Sequence, residues 1–123
     1  MQEDFVNLGE IAASAAGREG VIWTLGESVD LNANLLRFGV GGGVAGHVNE
    51  EVDVIFVGVC GSGSVKVDGE EHPLSGGTMI FVPRGARRSV ASTSEDFAYL
   101  SIHRRRGPLQ IDSRAEAEEA PEG

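Results

Sequence analysis

The chain has 123 residues, of which 10 are basic and 19 are acidic, so its formal net charge at neutral pH is −9. This length fits one domain with one hydrophobic core, and the 41% of hydrophobic residues excludes a chain that is disordered throughout. The acidity argues against a nucleic-acid partner, because binding to phosphates requires a dense positive surface. The single cysteine, Cys60, excludes an intrachain disulfide and a thiolate zinc cluster.

The hydropathy pattern gives no sign of a membrane or of export. A membrane helix needs about 18 or more consecutive apolar residues, and no stretch of the sequence comes close. The chain does not open with the charged and apolar pattern of a secretion signal. We therefore expect a cytoplasmic protein with no membrane partner.

The glycine content indicates strands and turns. The 18 glycines are about twice the usual share, and glycine at that density favours short strands joined by tight turns. Residues 1–20 are interpreted as an N-terminal appendage, in which Asn7 caps a short helix that reaches Ala16 and Gly17 ends it. Strands are predicted at residues 21–25, 31–40, 52–60, 64–67, 78–82, 88–92 and 97–104, and residues 47–49 have an extended pattern as well, which gives about eight strands.

Turn signals separate these strands. Residues 39–46 contain five glycines and predict a loop or a tight bend. Asp68 and Gly69 predict a β-hairpin. Short strands at this spacing are typical of a sandwich or barrel, which we expect to span residues 21–111. Residues 112–123 are strongly acidic and lack aromatic residues, which predicts a disordered tail.

Two segments of the chain resemble the signatures of the cupins. Residues 41–61 read GGGVAGHVNEEVDVIFVGVCG and resemble the first signature. Residues 77–88 read GTMIFVPRGARR and resemble the second, with its glycine, five residues and Pro-x-Gly. The resemblance implies an all-β fold, a jelly-roll barrel of about eight or more short antiparallel strands. It also implies a homodimer and a pocket inside the barrel.

The same resemblance implies where a metal would be held. Cupins commonly bind a divalent ion with two histidines two residues apart, a glutamate, and a histidine after the Pro-x-Gly turn. His47 matches the first histidine, Asn49 stands at the second, and Arg88 stands at the third. The glutamate position falls on Asp53 or Val54, depending on the spacer that is counted. An amide is a poor ligand for iron or zinc and a guanidinium cannot ligate a cation, so we expect no metal at the usual site.

The first functional hypothesis is a small-molecule-binding domain. Its expected pocket residues are His47, Asn49, Asp53, Arg88 and His103. A buried guanidinium requires a negative partner. For Arg88 this partner is either a carboxylate of the chain, from Asp53 or Glu51, or a small organic anion. Arg37 is a candidate to join Arg88.

The alternative hypothesis is a metal-dependent enzyme of the dioxygenase or isomerase type. It would use a rearranged site in which His47, His103 and a carboxylate of Glu51 or Asp53 bind iron, manganese or zinc. A third possibility is an interaction module that acts through its dimer surface. The sequence leaves open whether the protein is an enzyme. The arginines at 104–106 are interpreted as a solvated strand end.

Overall fold

A computed structural model of the chain describes residues 4–105, and the acidic segment predicted as a tail lies outside this range. Nine strands and one short helix form the described part. In chain order they are α1 (Leu8–Ser14), β1 (Gly20–Thr24), β2 (Leu31–Phe38), β3 (Gly43–Val48), β4 (Val54–Cys60), β5 (Ser62–Val67), β6 (Glu70–Ser75), β7 (Met79–Val82), β8 (Arg87–Ser92) and β9 (Phe97–Arg104). The predicted all-β architecture is confirmed.

The strands form two antiparallel sheets. A five-stranded sheet has the order β1-β2-β9-β4-β7, and a four-stranded sheet has the order β3-β8-β5-β6. Apart from the pairs β1–β2 and β5–β6, neighbours in each sheet come from distant parts of the chain, which is the arrangement of a jelly roll. No helix among residues 4–105 is long and apolar enough to cross a membrane.

The main core lies between the two sheets. Alternate residues of each strand point to opposite faces of a sheet, so a strand that covers this interior contributes one row of side chains to it. The buried members are Leu36, Phe38, Val52, Val54, Phe56, Val65, Leu74, Val82, Ala86, Val90, Phe97 and Tyr99.

The N-terminal helix covers part of the outer face of the five-stranded sheet. Its buried residue Ala12 packs with Leu35 of β2 and Ala98 of β9, which point away from the main core. Asn7 caps this helix as predicted, because its side chain accepts a hydrogen bond from the backbone N–H of Glu10 at 3.0 Å. The helix therefore belongs to a second, smaller hydrophobic cluster.

One turn prediction is correct and one is wrong. Asp68 and Gly69 both have positive φ, as a tight hairpin turn between β5 and β6 requires. The prediction that residues 39–46 form only a loop is wrong, because β3 begins at Gly43. A side chain at Gly43 would collide with the backbone carbonyl of Val90 on β8, so glycine at this strand position is explained by the close approach of two strands.

Candidate functional site

Arg88 is held inside the barrel by β8. The inward-facing row of this strand is Arg88, Val90 and Ser92, and all three are buried. Arg88 is only 2% exposed and is the largest of the fully buried side chains among the described residues. Its guanidinium carbon lies 5.9 Å from the centre of the Phe56 ring on the opposite sheet, close enough for a cation–π interaction. The interior of the barrel therefore contains a permanent positive charge.

His47 lies beside Arg88 because β3 contains a bulge. Val44 pairs with Val90 and His47 pairs with Arg88, so β3 has one more residue than β8 between the two pairs. Directly paired residues share a face of the sheet. The extra residue thus lets both Val44 and His47 face the barrel, although strict alternation would separate them. The Nδ1 atom of His47 lies 3.1 Å from the carbonyl oxygen of Ala45, a contact that requires a proton on Nδ1.

A row of polar side chains on β9 completes the polar part of the interior. Tyr99, Ser101 and His103 occupy alternate positions of the strand, and all are buried. Their partners on β2 are Leu36, Asn34 and Asn32. His103 is 3% exposed, and its Nδ1 atom lies 2.9 Å from the carbonyl oxygen of Arg104. Sequence alternation places His103 on the same face as Tyr99, and Tyr99 belongs to the main core.

The side chain of Asn49 stabilises the turn that follows β3. Its amide oxygen accepts backbone hydrogen bonds from Glu51 at 2.8 Å and from Val52 at 3.3 Å, and the residue is 9% exposed. This is the pattern of a side chain that closes a tight turn on its own backbone. The oxygen that would ligate a cation is therefore already an acceptor for two N–H groups.

The structure corrects the expectation for Asp53. Its side chain is exposed, and Oδ1 accepts a hydrogen bond from the backbone N–H of Arg84 at 2.8 Å. The neighbouring residue Val54 is fully buried in the main core. The inward position of the two is thus a valine, and Asp53 neither lines the interior nor pairs with Arg88. Glu51 is half-buried, and its carbonyl oxygen accepts from Arg104 at 3.4 Å.

Arg37 does not join Arg88. It shares parity on β2 with Leu35, whose side chain packs under the helix on the outer face of the sheet. Its guanidinium donates to the carbonyl oxygens of Arg18 at 3.2 Å and Glu95 at 2.9 Å. Arg37 therefore ties together two connecting segments. Arg104 and Arg105 are exposed, and Arg106 lies outside the described residues.

The donor atoms at the four family positions do not suit a divalent ion. The histidine at 47 is accompanied by a turn-forming amide at 49, an alkyl side chain at 54 and a guanidinium at 88. The last carries a charge that repels a cation. The rearranged set of His47, His103 and a carboxylate is not assembled either, since within residues 4–105 no three His, Cys, Asp or Glu side chains are grouped to hold a metal. The residues present do not fit a resident metal.

An open groove leads to His47 from the outside. Its volume is about 440 Å³, within the ordinary range of small-molecule sites. It lies between β1 and β2 of one sheet and β3 of the other, where the two sheet edges meet. The lining residues are Gly20, Val21, Leu36, Phe38, Gly43, Val44, Ala45, Gly46 and His47. The groove is therefore apolar along its length, and His47 is the one ionisable residue in its lining.

Tyr99 is an interior residue that the sequence alone did not single out. Its ring centre lies 5.2 Å from that of Phe56, 5.2 Å from that of Phe97 and 6.4 Å from that of Phe38. Burial raises the pKa of Tyr99 above its ordinary value, and the positive charge of Arg88 opposes that rise. The phenol is thus protonated at neutral pH. Its alternation with Ser101 and His103 was the only signal that could have placed it here.

Comparisons with known proteins establish the fold. No family profile matches the chain, and no curated protein matches it. Among solved structures, the protein TT1209 from Thermus thermophilus is similar with a TM-score of 0.73 and 22% identity, over 85% of this chain and 100% of that one. KdgF from Halomonas sp. is similar with a TM-score of 0.65 and 22% identity, over 72% and 81%.

A third similar structure carries the fold name in its description. It is a cupin superfamily protein from Desulfitobacterium hafniense, with a TM-score of 0.66 and 19% identity over 83% of this chain and 92% of that one. The jelly roll of this chain is therefore a cupin fold, as the two sequence signatures predicted. Identities at this level show the fold alone, so function has to be argued from the site.

Proposed function

We propose that this cupin-fold chain binds a small organic anion, with the anionic group at Arg88 and an apolar body in the groove between β1, β2 and β3. The observation that carries the proposal is the 2% exposed guanidinium of Arg88 in the interior of the barrel. It stands at the position where the family pattern has a metal-binding histidine. The family pattern has a metal ion at this place, whereas this chain has the guanidinium of Arg88. The pocket therefore attracts negative groups and repels positive ones.

Burial strengthens the attraction of Arg88 for an anion. A charge in a low-dielectric interior interacts more strongly with an opposite charge than it would in water. A guanidinium also matches the two oxygens of a carboxylate with two parallel hydrogen bonds.

The groove provides the apolar half of the site. Leu36, Phe38 and Val44 line it and also belong to, or pack against, the main core. Among the described residues, His47 is the one ionisable residue of its lining, and it pairs with Arg88 on the neighbouring strand. A ligand in the groove reaches the guanidinium only when intervening side chains move aside, since Arg88 is almost fully covered. Side-chain rearrangements of this kind are common on binding.

The test uses benzoate as the anionic probe and benzamide as its neutral match. We expect benzoate to raise the melting temperature of the protein and benzamide to have no effect, because ligand that binds the folded state stabilises it. Arg88→Met removes the charge at similar length and abolishes the shift. Arg84→Met is the matched control, since Arg84 is exposed and donates through its backbone; it keeps the shift.

Two results would count against the proposal. One is a benzoate-induced shift that survives in Arg88→Met. The other is a wild-type protein whose melting temperature benzoate does not change. If Glu51→Gln then lowers the melting temperature strongly, Glu51 is identified as the permanent partner of Arg88. Should Arg88→Met fail to fold, Arg88→Lys keeps the charge but loses the two-pronged geometry, and its affinity for benzoate must still fall.

A further inference from the structure

The hydroxyl of Tyr99 is buried without a hydrogen-bond partner. The residue is 0% exposed, and its oxygen is the one buried side-chain polar atom of residues 4–105 that lacks a partner. Nearly all buried polar groups in native proteins are satisfied, so an exception requires a physical explanation. A phenylalanine would supply the same ring without the unsatisfied oxygen, and the interior already contains Phe38, Phe56 and Phe97 around this position.

The surroundings of Tyr99 connect it to the proposed anion site. The ring of Phe56 lies against both residues, with its centre 5.9 Å from the guanidinium carbon of Arg88 and 5.2 Å from the ring centre of Tyr99. Tyr99 also pairs with Leu36 on β2, and its ring stacks with that of Phe38. Leu36 and Phe38 form part of the groove. Tyr99 is thus packed directly behind the groove wall and beside the buried charge.

We propose that the Tyr99 hydroxyl is a second hydrogen-bond donor to the anionic group of the ligand, acting together with Arg88. This inference rests on the proposed function and defines the ligand further. Two donors from opposite sheets suit an anion with at least two acceptor oxygens, such as a carboxylate with an apolar body. No group of residues 4–105 accepts a hydrogen bond from the hydroxyl, and the bound carboxylate supplies this acceptor. Tyr99 would therefore give the carboxylate a second contact besides that with Arg88.

The test compares Tyr99→Phe with the wild type in calorimetric titrations with benzoate. A hydrogen bond to a charged group contributes enough that its loss weakens binding about 10- to 100-fold. The free protein gives an independent readout. Because the substitution removes an unsatisfied oxygen and keeps the ring, the melting temperature of ligand-free Tyr99→Phe should equal or exceed that of the wild type.

The possible outcomes distinguish the role of Tyr99 from the proposed anion binding at Arg88. If Tyr99→Phe binds benzoate as tightly as the wild type while Arg88→Met does not bind, the role of Tyr99 is refuted and the anion site stands. A lower melting temperature of ligand-free Tyr99→Phe would also refute it, because it would mean that the hydroxyl has a partner within the protein. If the wild type binds no benzoate, both the proposed function and the role of Tyr99 are rejected.

Discussion

Two single residues give the interior of the barrel its chemical character. Arg88 supplies a positive charge, and Val54 supplies an alkyl side chain. In the family pattern these positions carry a histidine and a glutamate, and Asn49 takes the place of a further histidine. Of the four ligand positions only His47 keeps a metal-binding side chain. Three of the four positions at which the resemblance implies metal ligands thus carry side chains that do not suit a metal, and one of them, Arg88, carries a positive charge.

Restoring the three ligands should restore metal binding. In the variant Asn49→His, Val54→Glu, Arg88→His, we expect about one equivalent of zinc to bind, because a complete set of imidazole and carboxylate ligands is present. Metal content after dialysis against zinc measures this, and the wild type should retain none. A control variant carries Arg87→His in place of Arg88→His, since Arg87 is exposed on the same strand. Equal zinc in the control or in the wild type would contradict this explanation.

The sequence predicted which residues lie near the site, but it only partly predicted which of their side chains point into the barrel. The spacing of the signatures located His47 and Arg88, which the structure places side by side. It could not choose between Asp53 and Val54, because a turn after Asn49 resets the alternation of inward and outward positions. The prediction that Arg37 joins Arg88 failed for a related reason. The sequence does not show which face of β2 packs against the other sheet, and Arg37 lies on the opposite face.

A close approach between two parts of the backbone explains a glycine in the middle of a predicted strand. Gly58 lies in the middle of β4, its N–H donates to the carbonyl oxygen of Thr78 at 2.8 Å, and a Cβ there would collide with the backbone of Ser75 at the end of β6. Backbone cannot move aside as a flexible side chain can. Neither the frequency of glycine nor its position in the chain reveals such a contact.

Gly58→Ala should therefore destabilise the fold. We expect the free energy of unfolding to fall by about 2 kcal/mol or more, in line with overpacking of a well-packed interior. Chemical denaturation measures it. Gly9→Ala is the matched control, because Gly9 lies in α1 and a Cβ there has only the Asn7 side chain at 3.5 Å nearby. This change should raise stability by up to about 1 kcal/mol. A neutral Gly58→Ala would disprove the close approach.

At the scale of the whole molecule, the sequence predicted the fold class but not the pairing of strands. Alternation and turn residues indicate a barrel or sandwich, and the signatures narrow this to the cupin fold. Which strands become neighbours depends on contacts between distant segments, such as β2 with β9 and β3 with β8. The groove arises from this pairing, since it lies where the edges of two sheets meet.

The negative net charge of the molecule bears on the proposed binding of an organic anion. A chain with a formal charge of −9 repels small anions at long range, so binding of an anion has to come from a local site. Arg104 and Arg105 are exposed, so screening by dissolved salt weakens their attraction for an anion. Arg88 is shielded from solvent by the barrel. Binding of an anion at Arg88 therefore requires that the anion reach the interior.

A crystal structure of the protein soaked with 4-bromobenzoate tests this claim most directly, because the anomalous signal of bromine locates the ligand independently of its refined position. We predict a bromine peak in the groove among Leu36, Phe38 and Val44, with the carboxylate turned inward onto Arg88. Bromine found only at surface arginines such as Arg104 and Arg105, or a carboxylate turned out to solvent, would contradict the anion site.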